Sequence, residues 1–327
     1  MAKLVTIFGG SGFVGRYIAR RMAKDGWRVR VAVRRPNEAL FVKPYGVVGQ
    51  VEPILANIRD EASVRAAIRG ADAVVNCVGT FDAGGKNNFQ AVQHDGAALV
   101  SRVAAEEGAT SLVHISAIGA DADGESLYAK SKGEGEAAVL EAFPSAMILR
   151  PSIIFGPEDA FFNRFAAMSR NTPVLPIAGA ETRFQPVYVD DVAQAAVLGV
   201  KGEATGTFEL GGPEAATFRE LMQKMLDVVR RRRLIVNIPF FVAGIMGSAL
   251  DFGSKMTGGL FRNSILTRDQ VRSLQTDSVV ADDAQTLADL GIHATSMDVV
   301  LEDYLWPYRP SGQFSDIKDS AKNLRET

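Results

Sequence analysis

The first residues whose types and spacing could do chemistry are glycines. Gly9-Gly10-Ser11-Gly12-Phe13-Val14-Gly15 stands between an apolar run, Leu4–Phe8, and a segment of helical period, Phe13–Lys24. It holds both G-x-x-G-x-x-G (Gly9, Gly12, Gly15) and G-x-G-x-x-G (Gly10, Gly12, Gly15). Glycine suits such a turn because the bend is tight, the backbone must approach a pyrophosphate and the helix must pack close to the strand. Unpaired N–H groups at the helix start, aided by its dipole, then hold the phosphates. Between a strand and a helix the pattern points to dinucleotide binding. The bland alternative is a structural turn. The end of the second strand selects the cofactor. An NAD-preferring site carries an acidic residue there for the ribose 2′-hydroxyl, whereas this chain reads Val31-Ala32-Val33-Arg34-Arg35-Pro36. An arginine can fork onto a 2′-phosphate, so NADPH is expected over NADH. Arg34 and Arg35 as a solvated loop pair is the competing reading, and it fits Arg35 better than Arg34.

The elements that must position these residues alternate. Strands are expected at Leu4–Phe8, Trp27–Val33, Val51–Leu55, Ala73–Asn76, Ser111–Ser116 and Ala146–Leu149. Helices are expected at Phe13–Lys24, Asp60–Arg69, Phe89–Glu107 and Leu127–Phe143. Near-continuous apolar strands alternating with helices mark a parallel sheet covered on both faces. With right-handed crossovers this is an α/β, Rossmann-type doubly wound sheet. After Arg150-Pro151 strands thin out (Thr182–Val189, Thr207–Leu210) and helices dominate (Asp190–Val200, Thr217–Arg230, Val280–Leu290), which reads as a smaller, mostly helical C-terminal lobe. The expected division is 1–155 for the dinucleotide-binding domain, 156–308 for the second lobe, partly interleaved with the first, and 309–327 for a polar arm.

Composition excludes several classes. The chain has 327 residues, 47% hydrophobic and 23% charged, which is globular composition. Its 36 basic and 38 acidic residues nearly balance, against the basic excess of a general nucleic-acid binder. One cysteine, Cys77, allows neither an intrachain disulfide nor an iron–sulfur cluster. His94, His114 and His293 lack metal-ligand spacing, so no metal is expected. A strand that starts at Lys3 leaves no room for a signal or transit peptide, so the expectation is a protein that stays where it is made.

Further motifs occur in order. Asn57-Ile58-Arg59-Asp60 follows the third strand and Asn76-Cys77-Val78-Gly79 the fourth. Tyr128-Ala129-Lys130-Ser131-Lys132 is Y-x-x-x-K on a helix, and Arg150-Pro151, then Phe155-Gly156-Pro157, ends the sixth strand. Over residues 1–200 the chain resembles the extended and atypical branches of the short-chain dehydrogenase/reductase superfamily. That resemblance makes Tyr128 the general acid/base. Lys132, one turn away on the same face, would hold the nicotinamide ribose and lower the phenol pKa by its charge. It also implies cofactor contacts from Gly9, Gly10, Ser11, Gly12, Phe13, Val14, Arg34, Arg35, Asn57, Ile58, Val78, Gly79, Ser116, Pro151 and Ile153, with Asn57 and Ile58 at the adenine. A substrate-holding hydroxyl is expected two residues beyond Ser116, where this chain has Ile118. An isoleucine cannot donate a hydrogen bond, and losing such a donor costs on the order of 10²–10³ in rate.

The second half narrows the likeness. The stretches 155–166, Gln185–Val192, Leu266–Val271 and Leu287–Thr295 resemble the nucleotide-binding accessory subunits of respiratory complex I, NADH:ubiquinone oxidoreductase. That group implies tightly held NADPH as a structural cofactor and no turnover of its own, leaving Tyr128 and Lys132 vestigial. It implies complex I subunits as partners, near the junction of the peripheral and membrane arms. With no transit peptide, the expected location is peripheral, on the cytoplasmic face of a bacterial inner membrane. Locally, Arg230–Arg233 precedes an apolar stretch, Leu234–Gly247, too short and too broken to span a bilayer. Residues 230–250 could touch the membrane surface, or form a second-lobe helix over the cleft. Contact with membrane-embedded partners through exposed Phe240, Phe241 and Met246 is preferred. The competing readings are an active NADP-dependent reductase or epimerase and a nucleotide-state sensor.

Overall fold

The computed structural model describes residues 2–81, 84–256 and 267–314. In chain order its elements begin β1 (Leu4–Phe8), α1 (Phe13–Lys24), β2 (Arg28–Val33), β3 (Val51–Leu55), α2 (Glu61–Ile68), β4 (Ala73–Asn76), α3 (Asp95–Glu106), β5 (Ser111–Ile115), α4 (Leu127–Ala142) and β6 (Met147–Pro151). They continue β7 (Ile154–Phe155), α5 (Phe162–Asn171), β8 (Val174–Ala178), β9 (Arg183–Phe184), β10 (Val187–Tyr188), α6 (Val189–Lys201) and β11 (Gly206–Leu210). Last come β12 (Ala216–Thr217), α7 (Phe218–Val228), β13 (Leu234–Ile238), α8 (Phe240–Met256), α9 (Arg268–Ser273) and α10 (Met297–Leu305). The chain divides into two compact units, each drawn from three stretches. The first takes the described residues of 1–152, 189–211 and 280–294, and the second takes those of 153–188, 212–279 and 295–327.

The first unit is a seven-stranded parallel sheet in the order β11-β6-β5-β4-β1-β2-β3. It is the Rossmann-type sheet expected, because β1, β4 and β5 are buried along their whole length and must be covered on both faces. On one face Phe8, Val74, Leu112 and Ile148 pack with Val64 and Ile68 of α2, Val100 and Val103 of α3 and Val139 of α4. On the other side α1 and α6 pack together, tied by Arg21 to Asp190 at 2.7 and 2.8 Å and by Lys201 to Asp25 at 2.6 Å. The edges are guarded. β3 carries Pro53, which cannot donate to a further strand. Beside β11, Phe208 bridges Gln285 and Glu209 N–H donates to Gln285 O at 2.8 Å.

Residues 189–211, within the 156–308 lobe read from sequence as partly interleaved with the first domain, supply α6 and β11 to the first unit. The β11 edge overturns one expectation. Val280–Leu290 is not a helix but a series of turns. Its backbone is spent on β11: Gln285 serves the strand, and Ala281 N–H donates to Glu209 Oε2 at 3.0 Å. Likewise Phe89–Glu107 is not one regular helix, because a π-helical turn, Gln90–His94, precedes α3.

In the second unit Phe155, Phe161, Phe162, Phe165, Phe184 and Phe218 form a ring cluster with centroids 5.0–6.5 Å apart. Buried Asp159 ties α10 to α5: it accepts the Tyr304 hydroxyl at 2.5 Å and the Asn163 N–H at 3.1 Å. Thr182–Val189 is two two-residue strands, β9 and β10, rather than one. The stretch after the arginine run starts as strand β13, parallel to β8, and only then becomes α8. Of the expected anchors there, Phe241 and Met246 are exposed, whereas Phe240 is half-buried against Ala243 and Val271. Among the described residues no helix is long and apolar enough to cross a membrane. The expected arm over 309–327 lies, from residue 315 on, outside the described residues, as does Leu266.

Arg150, on β6, fixes α4 to the sheet. Its Nε and Nη2 donate to the Glu136 carboxylate at 2.6–3.1 Å, and its Nη1 stands 3.7 Å from Glu209 of β11. Glu136 is only 5% exposed. Arg150→Met would leave that carboxylate buried without its partner, at a cost of about 3 kcal/mol. Chemical denaturation should show this loss, and the double variant Arg150→Met/Glu136→Leu should recover most of it.

Candidate nucleotide site

Every site residue expected from sequence except Ile153 lies in the first unit, Tyr128 and Lys132 on α4 and the others at or close after the carboxyl ends of its parallel strands. Register brings these ends level: Phe8 pairs with Ala32 and Asn76, Asn76 with His114, and Ile115 with Leu149. Strand order reverses across β1 and β4, which is where ligands bind in such sheets. Pro151 closes β6 there, whereas Ile153 opens the first stretch of the second unit.

The glycine turn is built to be close-fitting. Gly9 has φ +74°, a left-handed conformation, and its N–H donates to Ala32 O at 3.0 Å. A Cβ at Gly15 would stand 2.4 Å from Gly9 O and 2.7 Å from the Gly10 Cα, so α1 can start this near β1 only without one. Gly12 caps α1 with no side-chain hydrogen bond. The N–H groups of Phe13 and Val14, in the first turn, have no intrahelical acceptor and are free for an anion. Ser11 is half-buried, and its carbonyl accepts from Arg16 Nη2 at 3.1 Å. Arg16 lies over the Phe41 ring, 4.9 Å from its centroid.

The two arginines after β2 differ. Arg35 pairs with Glu38 at 3.0 Å. Arg34 is exposed and has no ion-pair partner among the described residues. Past β3, Asn57 N–H donates to Ser63 Oγ at 2.9 Å and Asn57 Oδ1 accepts the Arg59 N–H, while Ile58 is buried in the core beside α3. Past β4, Val78 N–H donates to Asn76 Oδ1 at 3.1 Å, and a Cβ at Gly79 would stand 3.9 Å from Lys132 Nζ.

Below these ends lies a floor that disfavours charge. Asn76 Nδ2 meets His114 Nδ1 at 3.2 Å. Since Asn76 Oδ1 already accepts from Val78, its Nδ2 donates, and neutral His114 carries its proton on Nε2. Burial first, then the Lys132 charge, lowers His114 to about 3. Its Nε2 and the Oγ of Ser116, the residue just past β5, are buried without a hydrogen-bond partner among the described residues. Lys132 Nζ donates to Ile115 O at 3.1 Å, and burial lowers it to about 8. Burial pushes Tyr128 and Cys77 up to about 12.

The glycine cradle, the free helix N–H groups, unpaired Arg34 and the orphaned Ser116 hydroxyl fit a phosphate-bearing dinucleotide. Sequence reasoning missed what surrounds Tyr128. Phe81 stacks on its ring at 5.4 Å and 14°, and Phe89 meets it edge-on at 6.0 Å. Gln93, in the π-helical turn, donates to Thr80 O and accepts the Ser131 hydroxyl, both at 2.6 Å. No periodicity marks these residues. Ile118 is half-buried and brings no hydroxyl to its place. Among the described residues no cluster of His, Cys, Asp and Glu could hold a metal.

The chain belongs to the NAD dependent epimerase/dehydratase family, whose model matches residues 5–211. Membership makes a nicotinamide dinucleotide the cofactor class. Over most of its length the chain is similar to mitochondrial NADH dehydrogenase [ubiquinone] 1 alpha subcomplex subunit 9 of Arabidopsis thaliana, with 34% identity across 94% of this chain and 79% of the relative. This bears out the resemblance drawn from the motifs. It is also similar to the ceramide reductase of Caulobacter vibrioides, at 30% identity across 78% of this chain and 79% of that protein. Its fold matches an NADPH-dependent quinone oxidoreductase from Escherichia coli solved with NADPH: TM-score 0.69, 16% identity, 92% of this chain and 98% of that one.

Acid should weaken this floor. The unfolded chain protonates His114 near pH 6.5, whereas the folded chain resists until about 3, so stability present above pH 6.5 is lost as pH falls through that window. Urea midpoints at pH 7, 5.5 and 4.5 should therefore fall more steeply for the natural chain than for His114→Gln; parallel slopes would remove His114 as the cause.

Proposed function

We propose that this chain is a non-catalytic accessory subunit of a respiratory NADH:ubiquinone oxidoreductase, holding NADPH as a structural cofactor. The observation that carries this reading is the likeness to the alpha subcomplex subunit 9 across 94% of the chain. The geometry agrees with holding rather than turnover. The glycine turn and the start of α1 would take the pyrophosphate, and Arg34 the 2′-phosphate. Asn57 and Ile58 would meet the adenine, with Val78, Gly79, Ser116, Lys132 and Pro151 toward the nicotinamide. When bound, the nicotinamide could supply hydride to a carbonyl. Ile118 gives no hydroxyl to fix that carbonyl, and Tyr128 keeps its proton far above neutral pH. The partners would be other subunits of the assembly, near the junction of its two arms, with the chain peripheral on the cytoplasmic face of a bacterial inner membrane. Exposed Phe241 and Met246 of α8 would serve partner contact.

A second reading has its own observation. Tyr128 and Lys132 are both kept on α4 at the spacing a reductase uses, and one relative is a ceramide reductase. An NADPH-dependent reductase of a lipid-like carbonyl would use Tyr128 to deliver the proton.

Native electrophoresis of mildly solubilised membranes, with antibody detection, separates the two. The accessory subunit should migrate with a large NADH-oxidising band; a small species that consumes NADPH with a ketone would establish the reductase. Arg34→Asp should weaken NADPH binding at least about tenfold while sparing NADH, by titration of intrinsic fluorescence. Equal affinities for NADPH before and after would sink the 2′-phosphate role.

A further inference from the structure

We propose that Phe81 is a specificity-determining residue of this site: its ring, laid on Tyr128, denies small carbonyl compounds the phenol while leaving the nucleotide cradle open. The inference rests on the reading of this pocket as a nucleotide site. Phe81 is 68% exposed and packs one face of its ring. That face lies on Tyr128 within 14° of parallel at 5.4 Å, an offset stack. Phe89, 7% exposed, closes on the same tyrosine edge-on.

The placement is fixed by hydrogen bonds that run through three elements. Ser131, three residues after Tyr128 and so beside it on α4, donates to Gln93 Oε1 at 2.6 Å. Gln93 Nε2 donates to Thr80 O at 2.6 Å, and Thr80 directly precedes Phe81. Gln93 and Ser131 are buried, so the chain of bonds is shielded from competing water. The helix bearing the phenol therefore sets the position of the ring that covers it. Tyr128 is half-buried between these rings, and burial raises its phenol to about 12, while Lys132, one turn on, donates to Ile115 O. The pyrophosphate cradle is on a different loop, after β1, and does not involve Phe81.

The test needs no cofactor. Cofactor-free protein is treated with N-acetylimidazole, and acetylation of Tyr128 is followed by peptide mass spectrometry. In Phe81→Ala, Tyr128 should be labelled on the order of tenfold faster than in the natural chain. Phe81→Leu, which keeps bulk without a ring plane, should fall between, and Gln93→Leu, which cuts the tether, should approach Phe81→Ala. NADPH affinity, measured separately, should be unchanged by Phe81→Ala. Equal labelling of Tyr128 in the natural chain and in Phe81→Ala, with circular dichroism showing both folded, overturns the proposal. Failure of the natural chain to bind NADPH would overturn the nucleotide reading instead, and leaves the labelling result to decide the shield.

Discussion

The close approach of α1 to the end of β1 is the constraint on which the site depends. At Gly15 the helix comes so near the preceding turn that a single methyl group would stand 2.4 Å from the Gly9 carbonyl oxygen. That contact aims the first N–H groups of α1 across the carboxyl ends of the strands. Parallel pairing then brings β2, β4, β5 and β6 to the same level, so the residues after each strand meet without long loops. The sheet is what makes one short glycine turn into a cradle.

Electrostatics divide this site into two regions. At its rim are cations with different employment. Arg35 is neutralised by Glu38, Arg16 lies over Phe41 while holding the glycine turn's carbonyls, and Arg34 is left open to an anion. On the floor, burial moves each titratable group toward its neutral form: His114 and Lys132 downward, Cys77 and Tyr128 upward. At neutral pH Lys132 is the one of these four that still carries charge. At neutral pH such a floor keeps the protons of Cys77 and Tyr128 in place.

Much of this was legible in the sequence, for physical reasons. Strands buried on both faces write themselves as nearly unbroken apolar runs, and β1 and β4 were placed to the residue, as was the edge strand β3. The glycine spacing, the arginines after β2 and the Tyr128–Lys132 pair are local patterns, and the sheet puts them where local reasoning expects. What failed was non-local. The turns over 280–290 look helical because Val280, Ala281, Ala284, Leu287 and Leu290 fall at helical spacing, yet the edge of β11 claims their backbone. Leu234–Ile238 gives no sign that β8 awaits it. The shield over Tyr128 depends on Thr80, Gln93 and Ser131, which are polar, far apart in the chain and silent in any periodicity.

The first unit is written in three instalments. Its sheet starts with the opening residues, but β11 comes only after a detour into the second unit, and the cover on that edge, at Gln285, comes after another. A chain leaving the ribosome therefore has its phosphate turn long before its sheet has a finished border. Until residues near 285 emerge, β6 and then β11 are exposed strand edges, the kind of surface on which nascent chains associate wrongly. The phosphate turn is translated early and the residues that cover the sheet's edge late, so a chaperone or an early partner would meet this protein with that edge still open.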